Sequence, residues 1–594
     1  MRLDRSFLAL PGGCIALVFA LSGIVAGPAA ASGDEWVPAA SLGLDELTPG
    51  NRATAKTVLK GTEIVEIPVE IVSVVRDIGP DQDMILARAL GEEIVRLGVP
   101  QGISGSPVYV DGKLIGAISS TWSFAKEPLM GITPVHQMAR DAAAGGGRGA
   151  AAPGDRGDLL RDPAPGGSRS SGPAPIAAPL LLSGFDRRLV DLATELFEPW
   201  GFRVAEGGTA GRNQQGGAIE PGATIGVRLA GGDVNITSLG TVTWVDGDRV
   251  HAWGHPLFQM GDVEMPLVSG YIYTVVPTQL MSFKLGTGAE VVGTLVSDRR
   301  SGIFGRLGSA PPLTRFDLDV VRDGTKERFG FEIVRDRFLS PPLVGLAAAN
   351  AILARGAAVG EETVRFTQRL VLDDGRETTV ETRFAGDQTL REIVTLLSEA
   401  AQVIVTNPFE DVRIARIEGE IAYERGIRLG FLTDLRLEDD RPEPGDDLRG
   451  SWTLRDYRGR ESRRSFTIPL PANAREGRYL LLVADASTAE TYEAERDPRS
   501  FGPRSLDELL ERIRRLRRTD EVHLHLYRSS QGLQIEGRPL ADLPPSVLSV
   551  MRGASRSGIE ENLPAELVAE LRIPVGGVVQ GAHTILFEVQ EERP

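Results

Sequence analysis

Between residues 32 and 140 the chain contains short apolar runs rich in β-branched residues and bounded by turn residues, a pattern typical of β-strands. Residues 58–75 are rich in β-branched side chains. Further on, residues 108–110 and 113–115 are apolar runs separated only by Asp111-Gly112. Asp-Gly between apolar runs predicts a β-hairpin, because Gly readily adopts the positive φ that a two-residue turn requires. The first part of the chain is therefore predicted to be β-rich.

After residue 180 the pattern changes to a helix and then returns to strands. Apolar residues at helical spacing over 189–197 predict one amphipathic helix. Residues 241–245 and 249–253 flank Asp246-Gly247-Asp248 and predict a second hairpin. This hairpin leads directly into Gly254-His255-Pro256.

The last 230 residues show a weaker alternation. One helix is predicted at 390–404, and short strands at 450–454, 465–468 and 479–483 are typical of a β-sandwich. Ser505 and Glu508 have the spacing of a capping box, which predicts that a helix begins there. An α+β module is therefore predicted at the end of the chain.

A stretch rich in Gly, Ala, Pro, Arg and Ser separates the first β-rich part from the rest. Such a composition buries too little apolar surface to offset chain entropy, so it indicates a disordered linker. Together the patterns predict the following division: 1–31 signal peptide, 32–140 first β unit, 141–180 linker, 181–360 second β unit with one helix, 361–500 sandwich-like module and 501–594 α+β module.

The N-terminus has the order of a secretory signal. Arg2 and Arg5 precede an apolar run at 14–26, and small residues follow up to Ala31, where we expect cleavage. The alternative is a membrane anchor, but the run is short for a bilayer span, and no later segment is long and apolar enough to cross a membrane. We therefore expect an exported protein, periplasmic or extracellular, without a transmembrane segment after cleavage.

Composition narrows the chemistry. Cys14 is the only cysteine and lies in the predicted signal, so no disulfide, thiolate nucleophile or Cys-ligated metal is expected. The net charge of −16 argues against nucleic acid as a partner. The oligomeric state does not follow from the sequence.

Gly102-Ile103-Ser104-Gly105-Ser106-Pro107 is the segment most typical of catalysis. A nucleophilic serine sits on a tight turn that glycines permit, and backbone N–H groups converge on the oxyanion. Strands rather than a helix follow, which favours the loop type of two-barrel peptidases over the α/β-hydrolase elbow. In that loop type the N–H groups of Gly102 and Ser104 would form the oxyanion hole. The alternative is a turn without chemistry.

A serine nucleophile requires a base, and the chain has six histidines. His255 is the best candidate because a loop at a strand end can present it, whereas His251 lies within the strand and His136 is expected at the surface. His523 and His525 project from one strand face, but no third ligand is evident, so no metal site is predicted. The arginines between 512 and 518 are interpreted as a solvated helix face.

Three stretches together resemble the SpoIVB family of sporulation serine peptidases. They are Gly102–Pro107 continuing through Asp111-Gly112 to Gly131-Ile132-Thr133-Pro134, then 240–243 through Gly254-His255, and Ser297-Asp298-Arg299-Arg300 followed by 302–305. The resemblance implies two chymotrypsin-like β-barrels and a serine endopeptidase of proteins or peptides that needs no cofactor. It implies Ser104 as nucleophile and His255 as general base.

Two features depart from that family. Its third catalytic residue, an Asp fifteen positions before the serine, is replaced by Ala89. Glu92 is therefore the predicted orienting acid, with Glu93 and the more distant Asp83 as alternatives. The serine segment precedes the histidine segment here, the reverse of the sporulation enzyme's order, although catalytic triads are defined by geometry and not by chain order. The alternative hypothesis is a catalytically degenerate envelope binding or scaffold protein on the same fold.

Overall fold

The computed structural model describes residues 38, 40–122, 125–143, 174–176, 178–200, 202–208, 215–279, 282–354, 362–439, 441–496, 502–535, 538–540, 544, 546–547 and 560–590. The predicted signal peptide and most of the predicted linker lie outside these residues. In the part of the chain described, no helix is both long enough and apolar enough to span a bilayer.

Six strands of the N-terminal unit form a closed antiparallel barrel. They are β1 Arg52–Lys60, β2 Glu63–Gly79, β3 Gln82–Ala89, β4 Pro107–Val110, β5 Lys113–Thr121 and β6 Leu129–Pro134. The strand order is β4-β1-β2-β3-β6-β5, and β4 also pairs with β5, which closes the ring. Alternate residues such as Val69, Ile71 and Ile85 fill the interior. Asp111 and Gly112, with φ of 48° and 77°, form the predicted turn between β4 and β5.

Two short helices accompany this barrel, α1 Glu92–Leu97 and α2 Val135–Ala143, and β7 Ala174–Pro175 extends the sheet beside β5. Helix α1 leads from β3 into the loop that carries Ser104.

The second sheet contains thirteen strands and also includes a closed ring. Its members are β8 Pro179–Ser183, β9 Arg203–Glu206, β10 Thr224–Gly232, β11 Asn235–Asp246, β12 Arg249–Ala252, β13 Gly261–Val276, β14 Phe283–Arg299, β15 Gly302–Leu307, β16 Leu313–Arg322, β17 Thr325–Val334, β18 Glu362–Leu372, β19 Glu377–Ala385 and β20 Ile414–Arg425. Strands β10, β13, β14, β15, β12 and β11 pair in that order, and β11 pairs back to β10. The predicted mainly β fold is therefore confirmed.

Three helices pack on this sheet: α3 Arg188–Phe197, α4 Ser340–Ala354 and α5 Thr389–Val405. Helix α4 is buried on nearly every side, and its residues join the largest apolar core. Strands β18 to β20 continue the second sheet, because β20 runs parallel to β16. The domain boundary at 360/361 stays a prediction, and this sheet extends across it.

The rest of the described chain forms two sheets over one apolar core. One contains β21 Leu429–Leu437, β22 Asp447–Asp456, β23 Glu461–Pro469 and β28 Val578–Gln580; the other contains β24 Gly477–Ala484, β25 Glu521–Ile535, β26 Arg538–Leu540, β27 Glu560–Pro574 and β29 Ala582–Val589. Trp452 and Phe466 of the first sheet share a core with Tyr479 and Leu524 of the second. The two sheets draw strands from both sides of residue 500, and the predicted division into a sandwich-like module and an α+β module stays a prediction. Helices α6 Ala486–Arg496 and α7 Leu506–Arg514 lie beside this two-sheet sandwich.

Candidate functional site

The loop that carries Ser104 is shaped by two glycines in the left-handed region. Gly102 has φ of 86° and Gly105 of 91°, a conformation that side chains with a Cβ rarely adopt. Within the loop, the N–H of Ser106 donates to the carbonyl of Ile103 at 3.0 Å, and the N–H of Gly105 donates to that of Ile118 at 2.8 Å. These bonds do not use the N–H groups of Gly102 and Ser104.

This loop is fixed against strand β11 of the second barrel. The N–H of Thr241 donates to the carbonyl of Ser104 at 2.8 Å, and the hydroxyl of Thr241 donates to that of Gly102 at 3.1 Å. The hydroxyl of Thr243 donates to the carbonyl of Gly105 at 2.8 Å. A Cβ on Gly105 would lie 2.0 Å from the carbonyl oxygen of Thr241, so only glycine permits this approach.

The segment that carries His255 reaches the same place from strand β12. The hydroxyl of Thr133 in the first barrel donates to the carbonyl of Gly254 at 2.7 Å. The carbonyl oxygen of Ile118, which accepts from Gly105, would lie 3.2 Å from a Cβ on Gly254. The serine loop and the Gly-His-Pro segment, far apart in sequence, therefore meet over β5.

The two atoms that peptidase chemistry would use are both buried. Ser104 Oγ and His255 Nε2 each have no hydrogen-bond partner among the described residues, so they are not bonded to each other. His255 Nδ1 lies 2.7 Å from the carbonyl oxygen of Pro256, which can only accept, so the ring proton is on Nδ1 and Nε2 carries the lone pair. Burial lowers the pKa of His255 to about 4, so the ring is neutral at pH 7.

Ser104 is 0% exposed and His255 is 6% exposed. In this conformation neither side chain is open to a substrate. Any reaction at Ser104 therefore requires a local opening of the contact between the barrels.

The residues considered for the orienting acid lie elsewhere. Glu92 and Glu93 are exposed in the first turn of α1, and Ala89 is buried at the end of β3. Asp83 accepts from the Arg76 side chain and from the backbone of Asp77. The position beside His255 Nδ1, where a triad carboxylate would bind, is taken by the carbonyl of Pro256. The role of Glu92 stays a prediction.

Asp298 has a role that sequence reasoning did not assign, although its stretch was part of the resemblance. Its buried carboxylate accepts from the N–H groups of Leu257 and Phe258, both at 2.7 Å, and of Met260 at 3.2 Å. Burial raises the pKa of Asp298, while these N–H groups act in the opposite direction. The carboxylate thus fixes the turn that directly follows His255.

Lys284 is the second residue that sequence reasoning missed. It is 0% exposed, and its ammonium donates to the hydroxyl of Thr57 at 2.8 Å and to that of Thr241 at 3.4 Å. Its Cβ, Cγ and Cδ lie 3.3 to 3.4 Å from the position that a Cβ on Gly102 would occupy. Burial lowers the pKa of Lys284 to about 7. The local sequence pattern does not predict this role, because a single lysine within a strand is ordinarily exposed.

Two other histidines have different environments. His251 is buried, stacks on Trp244 with ring centroids 3.9 Å apart and meets the edge of Phe304. Burial lowers the pKa of His251 to about 3. His136 is exposed in α2, as predicted.

Residues 38–137 match the family model described as SpoIVB peptidase S55. The match covers the first barrel and the Ser104 loop, so this part of the chain is similar to SpoIVB peptidases and the predicted resemblance is confirmed there. It ends before the Gly254-His255 segment, so the role of His255 stays a prediction. No curated protein and no solved structure matches the chain.

Proposed function

We propose that this chain is an exported serine endopeptidase of the SpoIVB type, with its site where the two barrels meet. The observation that carries the proposal is the contact of the Ser104 loop with β11 and of the Gly254-His255 segment with β5 and β6. The family match over the first barrel supports peptidase chemistry. The predicted secretory signal supports export.

In the proposed reaction, Ser104 Oγ attacks the carbonyl carbon of the scissile bond and His255 Nε2 takes its proton. The N–H groups of Gly102 and Ser104 stabilise the oxyanion. His255 then protonates the leaving amine, and water hydrolyses the acyl-enzyme through the same residue acting as base. The carbonyl of Pro256 keeps the ring proton of His255 on Nδ1. This is the tautomer that the proposed reaction requires, because Nε2 must accept the serine proton.

A catalytically degenerate scaffold is the second candidate, and a specific observation favours it. Within the described part of the chain, Ser104 Oγ and His255 Nε2 are buried without partners, and a carbonyl rather than a carboxylate faces His255 Nδ1. A carbonyl stabilises an imidazolium less than a charged carboxylate does. On this reading the fold presents a binding surface and the buried site is a remnant.

Labelling with a fluorophosphonate probe separates the two candidates. Wild type, Ser104→Ala and His255→Ala would be compared, with and without a sub-denaturing concentration of urea that favours local opening. Ser106→Ala is the matched control, because the Ser106 hydroxyl already donates to the carbonyl of Ile103 at 2.6 Å. We expect labelling of wild type and Ser106→Ala, mapped to Ser104 by mass spectrometry, and none of the other two variants.

If wild type stays unlabelled in both conditions while circular dichroism shows an intact fold, the scaffold function replaces the peptidase. If Ser104→Ala is labelled like wild type, Ser104 is not the nucleophile.

A further inference from the structure

The C-terminal sandwich contains a second cluster of histidines, unrelated to the peptidase site. His523 and His525 lie on β25 and are both 0% exposed. Strand β27 runs antiparallel beside them and places Glu570 directly opposite His525. One potential ligand atom from each of these three residues lies within 4.8 Å of the other two. Glu570 is the third ligand that the sequence pattern did not reveal.

The hydrogen bonds around His525 fix where its proton is. Its Nδ1 lies 2.7 Å from the hydroxyl oxygen of Tyr527, and that hydroxyl donates in a short bond to the carboxylate of Glu493. Because the tyrosine proton is directed to Glu493, the tyrosine oxygen accepts from Nδ1–H of His525. In the neutral ring Nε2 therefore carries a lone pair.

That lone pair faces another acceptor. Nε2 of His525 lies 3.6 Å from Glu570 Oε1, beyond hydrogen-bond distance, and it has no donor among the described residues. Two acceptors that face each other in a buried place repel unless a proton or a cation lies between them.

The environment of His523 leads to the same result. Its Nε2 lies 3.2 Å from the backbone carbonyl of Arg518, which can only accept, so Nε2 carries the proton. Its Nδ1 is then a buried lone pair without a partner in the described part of the chain. Each of the two imidazoles thus has one buried nitrogen without a donor among the described residues, and both rings lie in the cluster with the Glu570 carboxylate.

We propose that His523, His525 and Glu570 form a binding site for a divalent zinc-type ion. Two imidazoles and one carboxylate are a ligand set that Zn²⁺ takes with water as the fourth ligand. The hydrogen bonds from the other ring nitrogens, to the Arg518 carbonyl and through Tyr527 to Glu493, are those that orient metal-binding histidines in known sites. Glu570 leaves 29% of its side chain exposed, which gives the ion a route from solvent.

Two arginines that contact Glu570 lower the affinity expected of the proposed site for a divalent ion. Arg517 and Arg572 donate to Glu570 Oε1 at 2.7 and 2.9 Å, and both line a neighbouring cleft of about 580 Å³. Their positive charges repel a divalent ion at Glu570, so we expect the site to bind Zn²⁺ more weakly than a three-histidine site does. The bound ion would join β25 to β27 and stabilise the folded sandwich, because the unfolded chain has no such site.

The test is binding of Zn²⁺ and Co²⁺ to the metal-stripped full chain. We expect one equivalent of Zn²⁺ by calorimetry, a higher melting temperature with Zn²⁺, and the visible absorption of four- or five-coordinate Co²⁺. Glu570→Gln and His523→Gln should each weaken Zn²⁺ binding by at least about tenfold, and Tyr527→Phe by about tenfold through loss of the orienting bond.

His583→Gln is the matched control, because His583 binds the Leu432 carbonyl at 3.2 Å elsewhere in the sandwich; its Zn²⁺ affinity should equal that of wild type. The absence of Co²⁺ absorption in wild type would overturn the proposal even if a variant fails to fold. Zn²⁺ binding that is unchanged in Glu570→Gln and His523→Gln would also overturn it, and would leave an ion pair between His525 and Glu570 as the role of the cluster.

Discussion

Histidines are buried in two regions of the molecule, where the two barrels meet and within the C-terminal sandwich. The groups that surround the histidines differ between these two regions. His255 has one polar partner, a backbone carbonyl, and Lys284 nearby has two threonine hydroxyls. His525 instead belongs to a chain of side chains that runs from Glu493 through Tyr527 towards Glu570. Burial lowers the pKa of both His255 and Lys284 in the barrel contact, whereas the ionisable groups of the sandwich are held in place by opposite charges.

The different partners of these histidines indicate what chemistry the barrel contact and the sandwich can each support. A buried neutral imidazole and a buried serine hydroxyl, each without a hydrogen-bond partner among the described residues, suit general-base chemistry only after the contact between the barrels opens to a substrate. The hydrogen-bonded chain of Glu493, Tyr527 and His525 is rigid. A nitrogen of that chain that has no donor among the described residues, such as His525 Nε2, is suited to bind an ion. The following changes test this contrast, from the largest expected effect to the smallest.

At Gly105 the backbone of the first barrel lies directly against that of the second. Gly105→Ala should abolish probe labelling and cost more than about 3 kcal/mol of unfolding free energy, because its Cβ would overlap the Thr241 carbonyl and the Trp253 backbone. Urea denaturation measures the stability. Gly112→Ala is the control: it also has positive φ, but open space surrounds it, so only about 1 kcal/mol should be lost. Equal losses in the two variants would mean that the barrels do not meet at Gly105.

Lys284 should make the protein less stable at neutral pH than at alkaline pH. Its pKa is about 7 when folded and near 10.5 when unfolded, so the unfolded chain binds more protons and stability rises as the pH increases between these values. Lys284→Met should be more stable at pH 7 by a few kcal/mol, since one pKa unit corresponds to about 1.4 kcal/mol. It should also lose this part of the pH dependence.

Urea denaturation at several pH values between 7 and 10 measures the effect. Lys113→Met, at an exposed position at the start of β5, serves as the control and should follow the wild-type curve. A Lys284→Met protein with the wild-type pH dependence would mean that Lys284 is solvated.

Asp298 should position the His255 turn without touching substrate. Asp298→Asn removes the charge and turns amide hydrogens towards N–H donors, which should cost about 2 kcal/mol and slow labelling of Ser104 about tenfold. Asp262→Asn is the control, because Asp262 pairs with Arg299 at the surface. Unchanged labelling in Asp298→Asn would show that the turn does not depend on this carboxylate.

The pH dependence of labelling is the finest test. Because the pKa of buried His255 is about 4, the labelling rate should stay constant from pH 8 down to about 5, while an exposed histidine loses its base form near pH 6.5. Rates measured at constant ionic strength check this. A midpoint near 6.5 would mean that His255 is solvated in the resting protein, contrary to its burial.

Much of the local structure followed from the sequence. The Asp111-Gly112 and Asp246-Gly247 turns, the helices at 188–197 and 389–405 and the sandwich strands are present as predicted. Helix α4 was missed, because it is buried on nearly every side and therefore has no polar face to create a helical period. The glycines around Ser104 were recognised, but the strand that requires Gly105 lies far along the chain.

The sequence by itself determined the β-rich class, the serine loop and the SpoIVB likeness of the first barrel, because these depend on residues close together in the chain. Only the tertiary structure decided that Ser104 is covered, that Lys284 lies beside Gly102 and that Glu570 faces His525. These facts arise from pairing between distant strands, and strand pairing depends on the packing of the whole sheet rather than on local pattern.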